Sequence, residues 1–200
     1  MKFTISPIPE KIAKDMQEKA IWAPDCPVSL EQLCLLDVSH YNFDGKILEG
    51  QIIVLDKIAK KVLSIFEELL ILKFPIQSLK LMNEFNGNDE MAMDANNSSG
   101  FNFRAIAGTD KLSMHSYGLA IDINPLQNPY IIIDENTNKI EVFPEKGAKF
   151  LNRGNLRKGM VEPIVAIFKK HGINIWGGNW NSPIDYHHFQ VERDVVARNE

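Results

Sequence analysis

Only two cysteines, Cys26 and Cys34, occur in 200 residues, so no disulfide framework holds this chain together. A bridge between them is left open by their spacing, and two isolated thiols say nothing of redox compartment. No apolar run approaches the roughly 20 residues that a membrane-spanning helix requires. The amino terminus, MKFTISPIPEKIAKDM, has no long apolar stretch of the kind that makes a signal peptide. Basic excess is missing too: 22 Lys and Arg against 26 Asp and Glu leave a net charge of −4, no footprint for nucleic acid. Repeats, low-complexity tracts and linker-like stretches are also absent.

What is present is ordinary for a globular chain: 44% hydrophobic and 24% charged residues, enough to build a core without a metal or disulfide. The length suits one domain, read as an N-terminal extension over 1–25 with a short helix, and a domain over 26–200. Residues 9–20 have the pattern of an amphipathic helix opened by Pro9. Two apolar-rich runs between Leu35 and Val54 flank Asp44-Gly45, a dipeptide suited to a hairpin turn. Asp56 should cap a long helix that Pro75 ends, with Ile58, Val62, Ile65, Phe66, Leu69 and Leu72 on one core-facing stripe. Residues 83–103 are rich in Asn, Asp, Ser and Gly and predict a long polar loop, an unusual feature that is often functional. LAIDI predicts a strand, YIIID and IEVF around ENTNK a second hairpin, residues 159–171 a helix stopped by Gly172, and INIW a short strand. Helices with mostly antiparallel strands imply an α+β domain, a small sheet with helices packed on it.

Chemistry concentrates at two places, SMHSYGLAIDIN over 113–124 and DYHHF over 185–189. Along the first, strand alternation puts Leu119, Ile121 and Ile123 on a core face and Ala120, Asp122 and Asn124 on the other. Gly118 lets the chain bend so that His115 folds back toward Asp122. His and Asp beside a small residue make a sensible half of a metal site. The second place offers Asp185 and His188, three apart and able to face one point. Two imidazoles and one carboxylate are the ligand count of a catalytic zinc, which keeps one position for water. Asp185 is then the unligated carboxylate, available to move a proton.

The ordered set Ser-x-His-x-x-Gly-x-Ala-x-Asp from Ser113 to Asp122, then Asp-x-x-His-Phe from Asp185 to Phe189, resembles the zinc peptidases of the D-Ala-D-Ala carboxypeptidase and L-alanyl-D-glutamate peptidase family. The likeness runs back through NNSSGFN and FNFRAIAG and takes in the Trp176-Gly177-Gly178-x-Trp180 stretch. FDGK at 43–46 and KFPI at 73–76 point to the L-alanyl-D-glutamate peptidase branch. The resemblance implies a Hedgehog/DD-peptidase fold and one Zn2+ held by His115, Asp122 and His188. It also implies Asp185 as catalytic base and Arg104 as oxyanion or substrate-carboxylate partner. Ser113 and Trp180 are the expected substrate-binding residues. The implied substrate is peptidoglycan or a muropeptide, cut at an amide bond by endopeptidase or carboxypeptidase action. A catalytically silent, zinc-stabilised binding module of the same fold is the alternative, against which the retention of Asp185 and Arg104 argues. The implied place of action is the cell envelope, periplasmic or extracellular, if a leader has been removed, and otherwise cytoplasmic or phage-derived.

The remaining candidates have plainer readings. His187 departs from the family pattern, and face alternation sends it away from His188 to a structural or supporting role, with a swap of ligand left open. His40 and His171 suit structural or exposed positions, the latter at a helix C-terminus. Trp176 suits core packing at least as well as a cleft. Asn96 and Asn97 suit loop ordering, and Asp89, Glu90 and Asp94 a solvated loop face.

Overall fold

The structure, a computed structural model, describes residues 1–134, 137 and 139–196. It is an α+β fold of small antiparallel sheets and a few helices. β1 (Phe3–Pro7), β2 (Leu33–Tyr41) and β3 (Ile47–Leu55) form the first sheet, in that order. The β2–β3 hairpin turns where expected, with Gly45 at positive φ. α1 (Glu10–Glu18) follows β1, and α2 (Asp56–Ile71) packs on β2.

The aliphatic stripe of α2 drives that packing: Ile58, Val62, Ile65, Phe66 and Leu69 are all buried against the sheet. Two details differ from expectation. Asp56 is the first helical residue and Leu55 the cap, and the helix stops at Ile71 because Lys73 adopts a left-handed conformation, which leaves Leu72 exposed. The segment read as an N-terminal extension, residues 1–25, contributes β1 to the first sheet, the short helix α1, and Met16 and Ile21 to the core. Cys26 and Cys34 are free, half-buried thiols whose pKa values burial pushes up.

The polar region 83–103 is not one irregular loop. It holds a 3-10 turn over Met82–Phe85 and α3 (Asp89–Asp94), and Asn88 caps α3 by accepting from the Met91 N–H. Asn96, Asn97, Ser98, Ser99 and Asn102 are buried, and the side chains of all but Ser99 bond backbone groups. Asn97, for example, accepts from the Ser78 hydroxyl and the Lys80 N–H and donates to the Lys80 carbonyl.

Two further sheets position the chemistry. β4 (Ala120–Asp122), β9 (His188–Gln190) and β7 (Ile175–Trp176) make one, with β9 in the middle. β6 (Lys139–Phe143), β5 (Tyr130–Asp134) and β8 (Ile184–Asp185) make the other, with β5 in the middle. Within the expected ENTNK turn, residues 135, 136 and 138 lie outside the described residues. The helix expected over 159–171 is shorter: a 3-10 turn over Glu162–Ile164 containing Pro163 leads into α4 (Val165–Lys170). Phe189 is fully buried and stacks on Phe168 of α4 with ring centroids 3.8 Å apart, which anchors β9 to the core.

Candidate metal centre

The register of the second sheet sets the site. Asp122 of β4 lies directly opposite His188 of β9, so the two side chains share a face. Phe189 enters the core on the opposite face, as alternation requires. His115 arrives from a 3-10 turn over Met114–Tyr117 that ends at Gly118 with φ of 64°. A Cβ at Gly118 would also stand 2.6 Å from the Leu55 backbone nitrogen, so both the bend and the close approach demand glycine. His115 thereby folds back onto Asp122, and the three residues converge, all buried.

Distances within the cluster are uniform. His115 Nε2 is 3.0 Å from Asp122 Oδ2, His188 Nδ1 is 3.0 Å from Asp122 Oδ1, and the two ring nitrogens are 3.2 Å apart. Ligands about 2.0–2.1 Å from one tetrahedral ion stand about 3.3 Å from each other, so the set is close to metal-ready. The outer ring nitrogens decide what the inner ones can do. His115 Nδ1 lies 2.6 Å from the Gly100 carbonyl, and His188 Nε2 lies 2.9 Å from Gln190 Oε1. Each outer nitrogen must donate to its oxygen partner, which leaves lone pairs on both inner nitrogens of the neutral rings. With both rings neutral, two lone pairs and a carboxylate would face one another with no donor between them, which only a proton or a cation relieves. Such an arrangement calls for a cation, and the residues present fit a zinc ion.

The electrostatics agree. Burial works against ionising Asp122, but the charges of His115 and His187 and hydrogen bonds from His115 and His188 hold its pKa well below the usual carboxylate range. Burial also opposes a charge on His188, yet the Asp122 hydrogen bond and charge outweigh it and push its pKa up to about 9. Without metal, a proton meets the demand for positive charge.

Asp185 reaches the site from the third sheet. The chain leaves β8 after Asp185 and enters β9 at His188, so Tyr186 and His187 carry it from one sheet to the other. Gly177 permits this approach: a Cβ there would be 2.5 Å from the Asp185 carbonyl oxygen. Burial is the main reason the Asp185 pKa is raised, offset in part by the charges of His187 and His188. Its Oδ1 is 3.0 Å from His187 Nε2 but outside hydrogen-bonding alignment, and it has no hydrogen-bond partner. His187 does not leave the site as strand alternation suggested, because the crossing between sheets is not a regular strand. Its Nδ1 donates to the Asn128 carbonyl at 2.8 Å, and its Nε2 lies 3.8 Å from Asp122 Oδ2, behind the cluster rather than within it.

Arg104 is fixed at its backbone by Ser116, whose hydroxyl accepts from the Arg104 N–H and donates to the Arg104 carbonyl. Its Nη2 pairs with Asp89 of α3, whose other oxygen accepts from Asn102 at 3.2 Å. Asp89 is therefore an ion-pair partner of Arg104, in place of the solvated loop residue its neighbourhood suggested. Arg104 Nε is buried and has no partner. Ser113 is buried, and its hydroxyl oxygen accepts from the His115 N–H at 3.3 Å, which ties it to the ligand turn. Trp180 stands 5.5 Å from the His188 ring and is 36% exposed, a wall beside the cluster. Trp176 instead stacks over Phe189 and donates to the Tyr186 carbonyl. His40 is buried in β2, and His171 pairs with Glu68, both away from the cluster.

Gln190 and Asn128 were not singled out from sequence. Gln190 was within reach, since it sits two residues past His188 on the same strand face. Asn128 carried no signal, because its contact with His187 depends on a fold-back 59 positions long.

Residues 107–191 match the profile of a family described as D-alanyl-D-alanine carboxypeptidase. The matched span holds His115, Asp122, Asp185 and His188, while Arg104 lies just before it. No curated protein and no solved structure matches the chain. The match supports a peptidase, and the α+β architecture is consistent with a Hedgehog/DD-peptidase fold.

Proposed function

We propose that the protein is a zinc peptidase that hydrolyses an amide bond in peptidoglycan stem peptides, of the L-alanyl-D-glutamate endopeptidase or D-Ala-D-Ala carboxypeptidase type. One observation carries the reading. Among the described residues, two buried side-chain nitrogen or oxygen atoms lack a hydrogen-bond partner, Arg104 Nε and Asp185 Oδ1. A buried unpaired polar atom costs about 1–3 kcal/mol, so such atoms are uncommon without a purpose. Here one is a donor suited to a developing negative charge and the other an acceptor suited to a water proton.

His115, Asp122 and His188 would hold the ion. A bound zinc supplies Lewis acidity, polarising a carbonyl and making a water proton easier to remove. Asp185, its pKa raised by burial toward the working range of a general base, takes the proton of the attacking water. As the oxygen–carbon bond forms, the carbonyl oxygen gains charge that the Arg104 Nε–H stabilises. When the carbon–nitrogen bond breaks, Asp185 passes its proton to the leaving amine. Trp180 offers the substrate a flat apolar wall. Substrates of this kind place the protein's action at the cell wall.

Zinc-replete protein incubated with defined muropeptides, with products read by mass spectrometry, tests the reading. Release of the stem after its first L-Ala marks the endopeptidase type, and loss of a terminal D-Ala the carboxypeptidase type. If neither muropeptides nor whole peptidoglycan are cut, the proposal is wrong.

A further inference from the structure

Tyr130 opens β5 directly across from Asp185 of β8. Side chains of residues paired this way share a face, with Cβ atoms about 4.5–5.5 Å apart. The pairing lies on the same short strand segment that delivers Asp185 to the metal cluster. The Tyr130 ring is half-buried and leans on Phe143 with centroids 6.3 Å apart and planes at 48°, so packing limits where its hydroxyl can go. Burial raises the phenol pKa, the Asp185 charge raises it further, and the Arg104 charge lowers it. The strand register thus sets Tyr130 beside Asp185, and the Arg104 charge is close enough to act on its phenol, yet no sequence motif points to this tyrosine.

We infer that Tyr130 is a further substrate-contacting residue beside the metal cluster, its phenol donating a hydrogen bond to the peptide held between Asp185 and Arg104. The inference rests on the peptidase reading. Asp185 is an acceptor there, and Arg104 is a charged donor already shared with Asp89. A neutral donor set by the β5–β8 register completes the recognition of a carbonyl without adding net charge. Such a donor, if it engages the oxygen as charge develops, acts on kcat as well as on KM.

Tyr130→Phe removes the hydroxyl and keeps the ring on Phe143, so the fold should survive. Its kcat and KM are measured on whichever muropeptide the parent protein cuts, together with zinc content and melting temperature. The expected result is a kcat/KM lower by at least about tenfold, with zinc content and melting temperature unchanged. Binding of the uncut muropeptide to Asp185→Asn protein, compared with and without Tyr130→Phe, gives a readout separate from turnover, and the double variant should bind more weakly. Activity within twofold of the parent overturns the inference, as does a loss that follows zinc or melting temperature downward. A zinc-loaded parent that cuts nothing overturns the peptidase reading and this inference with it. An active parent with an equally active variant removes Tyr130 alone.

Discussion

At the residue scale, the most informative atoms are those that face each other with nothing to share. His115 Nε2, His188 Nδ1 and the Asp122 oxygens stand 3.0–3.2 Å apart with both outer ring nitrogens already committed. With the His188 pKa at about 9, the metal-free protein carries a proton there at neutral pH, and zinc must displace it. Apparent zinc affinity should therefore fall by about tenfold for each pH unit below 9, until further groups take up protons. Calorimetry at pH 7.5 in two buffers of different ionisation enthalpy should show about one proton released per zinc bound. Release of none would mean that His188 is neutral without metal. The oxygen partner of His188 can be probed in the same way: Gln190→Ala should weaken zinc binding by about 10–100-fold, because Nε2 loses the acceptor that orients the ring. Asp185→Asn is the complementary case. It should retain zinc and lose about 10²–10⁴ in kcat, since an amide cannot take the water proton. Retained zinc with full activity would remove Asp185 from the mechanism.

At the element scale, short-range patterns were legible and long-range pairings were not. Period-two alternation in LAIDI correctly put Ile121 and Ile123 in the core and Asp122 opposite them, and the Asp44-Gly45 turn placed the first hairpin. The two halves of the metal cluster could each be read because each occupies a few consecutive residues. Their union depends on the Asp122–His188 register, a pairing across 66 positions that no local pattern specifies. β1 gave little signal, as a five-residue edge strand ending in proline. In the polar region the reading of Asn96 and Asn97 as ordering the loop through side-chain to backbone bonds holds, whereas α3 went unseen because its six residues are too short and too polar to show a helical period. That region has a consequence for activity, since α3 brings Asp89 to the Arg104 guanidinium. Asp89→Ala should free the guanidinium to move and lower kcat/KM by about tenfold, with little change in melting temperature. Steady-state kinetics with a thermal melt checks this, and an unchanged rate would reduce α3 to a surface element.

At the scale of the whole molecule, the metal cluster sits on strands whose opposite faces belong to a large apolar core. Ile121, Ile123 and Phe189, immediate neighbours of the ligands, are fully buried within it, as is Leu119 at the start of the same segment. The same core continues through α2 and the first sheet, which carry no ligand. Folding energy therefore comes mainly from apolar burial, in keeping with a composition that needs no metal to collapse. Zinc then acts as a ligand of the native state. At a free concentration 1,000 times its Kd it should add about 4 kcal/mol, equivalent to a rise of about 8–16 °C in a domain of this size. Chelation should accordingly abolish peptide hydrolysis while leaving a cooperative melt at a lower temperature, both reversed by zinc. Calorimetric scans with and without chelator measure this directly. A chelated protein with no melting transition would show that His115, Asp122 and His188 hold the fold together as well as the ion.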